Sequence, residues 1–293
     1  MASNWSENRL TWLITGASSG FGLHLTRLAL AKNHLVIATS RNPSANPSLL
    51  TELTSKGGRF LPLEIDDANA AQELVDGLTK EGVEIDVLVN CAGFSVHGPA
   101  ESFTEAEVRA QMETVFFGPY RLIRATVPGM RERRRGIVVS LGSGAGVDGR
   151  PSMGVYGAAK AAMDGLLRIA AKELAPFNVR TLMVPLGGFD TNFAGRITTT
   201  ATPFPQDYQD SMVSSVIRGI GGGNFQPDGD HRKACQVIHE VIMGEGRGLG
   251  MEAHTVLPLG RDMWKLLDGV DESARRTRLV FGDVGNDVYL DST

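Results

Sequence analysis

The chain has 293 residues, 42% of them apolar and 21% charged, and a formal net charge of -4. That length suits one large α/β domain or two small ones, and the acidic balance excludes the basic footprint expected of a nucleic-acid binder. Cys91 and Cys235 are the only cysteines, which excludes a disulfide framework, and no C-x-x-C or H-E-x-x-H metal spacing occurs, so no metal is expected.

Residues 1–10 are polar, carry Glu7 and Arg9, and lack the charged-then-apolar order of a secretory leader. No apolar run approaches the ~18 residues of a membrane span. The expectation is a soluble, cytoplasmic protein with no membrane span. Leu10–Thr15 reads as a buried strand, and Phe21–Lys32 as a helix with Leu25, Leu28 and Ala29 on one face. Further strands are predicted at Leu35–Thr39, Arg59–Ile65, Ile85–Asn90, Gly136–Leu141 and Val179–Val184, with a weaker one near Thr255–Leu257. Helical periodicity occupies Ala70–Lys80, Glu105–Glu132, Ser152–Leu174 and His231–Met243. This alternation predicts βαβ units. The uniformly apolar strands predict a parallel sheet covered on both faces.

Asn192–Asp230 breaks the rhythm with Thr, Pro and Gly, and holds one short helical pattern near Gln209–Ile220. A stretch this long inside a compact domain is a functional lid or a disordered segment. The chain after Gly269 is charged, so a variable tail is expected from about residue 275, with a frayed end. Residues 131–135 (RERRR) read as a solvated helix end favoured by the helix dipole. No internal repeat or linker divides residues 1–293, which are read as a single domain.

Gly16, Gly20 and Gly22 stand between the first strand and the first helix, in Thr15-Gly16-Ala17-Ser18-Ser19-Gly20-Phe21-Gly22. Glycine there permits a tight turn and close approach of backbone to a pyrophosphate, which the helix N-terminus then attracts. The spacing is G-x-x-x-G-x-G rather than G-x-G-x-x-G, and a glycine triplet alone also fits an ordinary strand-to-helix turn. The second strand ends Ala38-Thr39-Ser40-Arg41, without the carboxylate that binds the ribose 2′-hydroxyl of NAD. Arg41 can instead pair with the 2′-phosphate of NADP. Downstream, Tyr156 and Lys160 lie one helical turn apart on one face, with Ser143 just past a strand end. A tyrosine, whose ordinary pKa is about 10, gains acidity from a neighbouring ammonium and can then move a proton at a carbonyl. Ser143 can polarise that carbonyl.

With these residues in view, the chain resembles the short-chain dehydrogenase/reductase family over about Leu10 to Ala274. The glycine turn is similar to the family's TGxxxGxG motif. Asn90-Cys91-Ala92-Gly93 resembles its NNAG motif, with Cys91 in place of the second Asn. The resemblance implies a doubly wound Rossmann fold with a parallel sheet of about seven strands. It implies Ser143, Tyr156 and Lys160 as catalytic residues, with Lys160 also holding the nicotinamide ribose. It implies NADP(H) contacts from Gly16, Ser18, Ser19, Gly20, Phe21, Gly22, Arg41, Asp66, Asp67, Asn90, Ala92, Gly93, Tyr156, Lys160, Gly187 and Thr191. Gly229-Asp230 and Leu257–Asp262 resemble the C-terminal part of an NADP-dependent fungal and bacterial subgroup.

Three departures stand out. Val115 takes the place of the family's catalytic Asn, and its neighbour Thr114 should point elsewhere on the helix. The Pro-Gly after the sixth strand reads Leu186-Gly187, with Pro185 one place early, and Cys91 replaces a polar residue. On the substrate side, the loop Phe94–Pro99 should lie at the C-terminal edge of the sheet. His97, Met153, Phe189 and Phe193 are candidate contacts there, although packing alone also accounts for each. The family pairs subunits through the helices at Glu105–Glu132 and Ser152–Leu174, which implies a homodimer or homotetramer. The leading expectation is an NADPH-dependent carbonyl reductase or alcohol dehydrogenase acting on a small, fairly apolar ketone or alcohol, with a place in secondary-metabolite biosynthesis open. A non-redox isomerase, dehydratase or cyclase, or a catalytically silent NADP-binding protein, are the alternatives.

Overall fold

The computed structural model describes residue 5 and residues 9–191, 193–221 and 227–289. Most of the polar N-terminal stretch, Asn192, the glycine-rich part of the expected lid and the last four residues lie outside the described residues.

Six parallel strands form the main sheet: β1 Thr11–Ile14, β2 Leu35–Ser40, β3 Arg59–Pro62, β4 Val87–Asn90, β6 Gly136–Leu141 and β7 Val179–Val184. Their order is β3-β2-β1-β4-β6-β7, so the order reverses between β1 and β4. In open α/β sheets that switch point opens a crevice at the carboxyl ends of the strands. The weak strand expected near Thr255–Leu257 is reduced to bridges, Met183 to Val256 and Leu186 to Leu259, lying parallel beyond β7. A separate pair joins β5 Ser95–His97 to β8 Ile197–Thr199.

Helices cover both faces. They are α1 Gly20–Ala31, α2 Pro47–Ser55, α3 Ala70–Lys80, α4 Glu105–Met112, α5 Gly118–Glu132, α6 Gly144–Val147, α7 Gly154–Leu174, α8 Met212–Gly221, α9 His231–Met243 and α10 Arg261–Asn286. Successive strand residues point to opposite faces. Trp12, Ile14, Val87, Val89, Ile137 and Val139 pack toward α1 and α9, while Leu13, Leu88 and Val138 pack toward α3, α5 and α7. The strands read as continuous apolar runs because both faces are covered.

The helix expected over Glu105–Glu132 is broken. Glu113–Phe117 forms a π-helical turn between α4 and α5, closed by Gly118 N–H donating to the Glu113 carbonyl. The cause is Pro119, which has no N–H for the Val115 carbonyl, so the ladder widens by one residue. Two other readings also change. Helix α2 was not anticipated; Asn46 caps it by accepting from Leu49 N–H at 3.1 Å, and Pro47 opens it. The expected tail is a 26-residue helix, α10, which continues to Asn286.

The basic run of residues 131–135 is the expected solvated helix end, with Arg131, Glu132 and Arg134 exposed, and its arginines also make local contacts. Arg133 and Arg134 donate to the carbonyls of Ile85 and Pro176, Arg131 lies over the Phe177 ring, and Arg135 pairs with Asp86.

Candidate active site

The glycine turn leaves β1 beside the loop after β4. Thr15 Oγ1 accepts from the Cys91 and Ala92 N–H groups at 3.0 and 3.2 Å, and Ala17 N–H donates to the Thr39 carbonyl at 3.0 Å. These bonds fix the turn across the switch point. Gly16 has φ +63° and packs so close to Ala92 that a Cβ would stand 2.9 Å from its backbone. Gly20, at φ +55°, is different, because a Cβ there would meet only Thr191 Cβ at 3.8 Å. The space over Gly20 is a cradle at the start of α1. Ser19, the N-cap, has an extended backbone and makes no side-chain capping bond. The first N–H groups of α1 therefore lack a side-chain acceptor from the cap, and a diphosphate fits this donor set. Ser18 and Phe21 flank the turn; both are half-buried, as is Gly20 itself.

The proton-transfer candidates come from two elements. Ser143 caps α6 just past β6, and Tyr156 and Lys160 lie on α7. The structure brings all three together. Tyr156 and Ser143 share a side-chain hydrogen bond. Lys160 Nζ lies 5.7 Å from the centroid of the Tyr156 ring and donates to the Leu141 carbonyl at 2.7 Å. Burial pushes the Tyr156 phenol up to about 12, with the Ser143 bond acting in the opposite direction. Burial also lowers Lys160 to about 8, with Cys91 opposing. This differs from the simple expectation that the ammonium makes Tyr156 more acidic. Lys160 points its charge at the Leu141 carbonyl, and desolvation of the phenolate dominates. The phenol is therefore a protonated donor at neutral pH.

Around this core, Asn90 is buried and its Nδ2 donates to Ser140 Oγ at 3.3 Å. Burial raises the Cys91 thiol to about 12, so it is neutral. Val115 is 2% exposed, and its Cγ2 lies 3.9 Å from where a Gly93 Cβ would be. The apolar replacement thus faces the loop after β4. Thr114 points elsewhere, donating to the Asp66 carboxylate at 2.7 and 3.0 Å. Asp67 turns toward α3, where Oδ1 accepts from Asn69 and Ala70 N–H at 2.7 and 3.2 Å. Arg41 is exposed just after β2.

The structure separates the four substrate-side candidates. Phe193 has its ring centroid 6.0 Å from that of Tyr156. Phe189 instead meets Phe21 edge-on at 5.4 Å, beside the glycine turn. Met153 immediately precedes α7, and its backbone bridges to Gly98. His97 is buried in β5, where Nδ1 bonds Ser152 Oγ at 2.9 Å and burial lowers its pKa to about 4. It is a neutral imidazole tied to the approach to α7.

Asp262 was not singled out from sequence as a site residue. From the first turn of α10 its carboxylate accepts from Gly188 N–H at 3.0 Å and faces Arg150 at 3.8 Å. A Cβ at Gly187 would meet this carboxylate, so a side chain there would force Asp262 to shift. No local sequence signal pairs residues 74 positions apart. Among the described residues, no cluster of His, Cys, Asp or Glu could hold a metal ion, and no helix is long and apolar enough to cross a membrane.

This arrangement of turn, switch point and Ser-Tyr-Lys cluster defines a nicotinamide-dependent dehydrogenase fold. The family model described as short chain dehydrogenase matches residues 11–202, and the chain belongs to the short-chain dehydrogenase/reductase family. It is 36% identical over 205 residues to a 3-ketodihydrosphingosine reductase of Bacteroides thetaiotaomicron, covering 70% of this chain and 73% of that protein. A crystal structure of a short-chain dehydrogenase from Streptomyces avermitilis superposes with a TM-score of 0.85 at 33% identity, covering 97% of this chain and 99% of that one. A metagenomic short-chain oxidoreductase in complex with NADP is similar at 29% identity and a TM-score of 0.58, over 62% of this chain and 84% of that one. The protein is an oxidoreductase of this family with a Rossmann fold.

Proposed function

We propose that the protein is an NADP(H)-dependent carbonyl reductase acting on a fairly apolar ketone. The carrying observation is the buried Ser143–Tyr156 hydrogen bond with Lys160 against the same ring, set beside the open cradle at Gly20. When bound, the nicotinamide supplies the hydride that a carbonyl carbon receives. The chain's own residues do the rest. Tyr156 Oη donates its proton to the carbonyl oxygen, Ser143 Oγ hydrogen-bonds that oxygen, and Lys160 fixes the tyrosine face and holds the ribose.

NADP(H) is preferred on this reading because Arg41 follows β2 with no carboxylate at the strand end, and a related structure binds NADP. Phe193 beside Tyr156 supplies an apolar wall, and a relative named for reducing 3-ketodihydrosphingosine supports a ketone substrate. The segment 193–221 acts as the lid, anchored where β8 pairs with β5. Buried Val115, where the family carries Asn, favours a second reading in which the enzyme is a non-redox isomerase, dehydratase or cyclase. The test is a panel of aromatic and aliphatic ketones with NADPH and NADH, with binding titrated in parallel. Ketone-dependent NADPH oxidation supports the reductase; tight NADPH binding without turnover on any ketone supports the non-redox enzyme.

A further inference from the structure

Arg196 ends the short turn Ala194–Arg196 and immediately precedes β8, which is paired to β5. Its guanidinium reaches back across the site, and Nη2 donates to Ser19 Oγ at 2.8 Å. Ser19 is the residue whose side chain should cap α1 and does not. Its hydroxyl is engaged by a cation from a segment 177 positions away. Arg196 is exposed and forms no ion pair among the described residues. The same stretch makes two other contacts: Thr191 faces Gly20, and the Phe193 ring faces Tyr156. One short piece of chain therefore touches both the start of α1 and the proton donor.

A neutral hydroxyl is a modest partner for an unpaired guanidinium, and a diphosphate oxygen is a stronger one. The helix start contributes only about half a positive charge to a group carrying two negative ones. Arg41 sits at the end of β2, on the side expected for the 2′-phosphate. We propose that Arg196 binds the diphosphate of the dinucleotide from the lid side, and that this bond couples cofactor occupancy to the placement of Phe193 over Tyr156. The inference rests on the reading of the site as an NADP(H) site. The guanidinium moves from Ser19 Oγ to a phosphate oxygen, and Ser19 Oγ becomes free to donate to the same group. The coupling makes cofactor binding favour the arrangement in which Phe193 faces Tyr156, and by linkage that arrangement favours the cofactor to the same extent.

The experiment titrates NADPH, NADH and adenosine 2′-monophosphate against the full chain. The last probe carries the 2′-phosphate and no diphosphate. Arg196→Ala should weaken NADPH and NADH by the same factor, roughly tenfold or more as for loss of a charge-assisted bond, and leave adenosine 2′-monophosphate unchanged. Arg196→Lys should recover part of the loss. Arg41→Ala should weaken NADPH and adenosine 2′-monophosphate while sparing NADH. Unchanged dinucleotide affinity in Arg196→Ala, or an equal loss for adenosine 2′-monophosphate, overturns the proposal. Wild-type protein that binds neither dinucleotide overturns the functional reading itself, which is a different result. In parallel, NADPH should slow amide hydrogen exchange over residues 194–199 in the wild type and not in Arg196→Ala. Equal slowing in both overturns the coupling.

Discussion

Replacing Asp262 with Ala tests how the C-terminal helix holds the cofactor-side loop. The carboxylate accepts from Gly188 N–H at 3.0 Å, and a hydrogen bond to a charged group contributes about 1.5–3 kcal/mol. Its pairing with Arg150 at 3.8 Å is half-exposed and adds at most about 1 kcal/mol. The expected destabilisation is therefore ~2–4 kcal/mol. For a domain of this size, each kcal/mol lowers Tm by roughly 2–4 °C, so a drop of roughly 5–15 °C is predicted. The loop also carries Phe189 and Thr191 toward Phe21 and Gly20, so NADPH affinity should fall in the same variant. Asp262→Asn keeps a neutral acceptor for Gly188 but loses the charge that strengthens that bond as well as the ion pair, so it should fall between the wild type and the Ala variant, about 1–2 kcal/mol below the wild type. Differential scanning calorimetry and NADPH titration on the three proteins suffice. An Ala variant that melts like the wild type, or an Asn variant as damaged as the Ala one, refutes the reasoning.

Arg41→Ala should weaken NADPH by ~10- to 100-fold, the loss of a charge-assisted pair, and leave NADH nearly unchanged. An equal loss for both nucleotides removes the 2′-phosphate assignment. Acid should destabilise the fold through its buried histidines. His34, His97 and His239 are each lowered to about 4 by burial, with Glu245 opposing at His34. Because the unfolded chain binds their protons more tightly, the contribution is full above the unfolded pKa of about 6.5 and is lost as pH falls toward 4. Urea unfolding at pH 5 should show a loss of about 2 kcal/mol per histidine relative to pH 7, and identical curves would contradict the assignment. Val115→Asn puts an amide into a 2% exposed site. Thermal melts should show a cost of ~1–3 kcal/mol, whereas unchanged stability would mean that polar partners or water already line the site.

Much of the fold was legible because its signals are local. The period of α3 and α9 marked both helices at their observed bounds, and β6 and β7 stood out as apolar runs. What escaped depends on distant partners or on one subtle residue. The break between α4 and α5 follows from Pro119, whose effect on a carbonyl four residues back is hidden in an otherwise periodic run. Helix α10 escaped because only Met263 of it is fully buried, so its charged sequence resembles a tail. At the site, Ser143, Tyr156 and Lys160 were readable from spacing, and the structure places them in contact. The electrostatic outcome was not readable. Spacing puts Lys160 one turn from Tyr156 and cannot reveal that its ammonium faces the Leu141 carbonyl. Asp262 and Arg196 act on Gly188 and Ser19 across 74 and 177 positions, which no motif records.

The most direct test of the central claim compares wild type and Tyr156→Phe for ketone-dependent NADPH oxidation, with NADPH affinity measured on both. The account predicts turnover in the wild type, a fall of ~10²- to 10⁴-fold in the variant, and unchanged NADPH binding. Turnover that survives loss of the Tyr156 hydroxyl would contradict it.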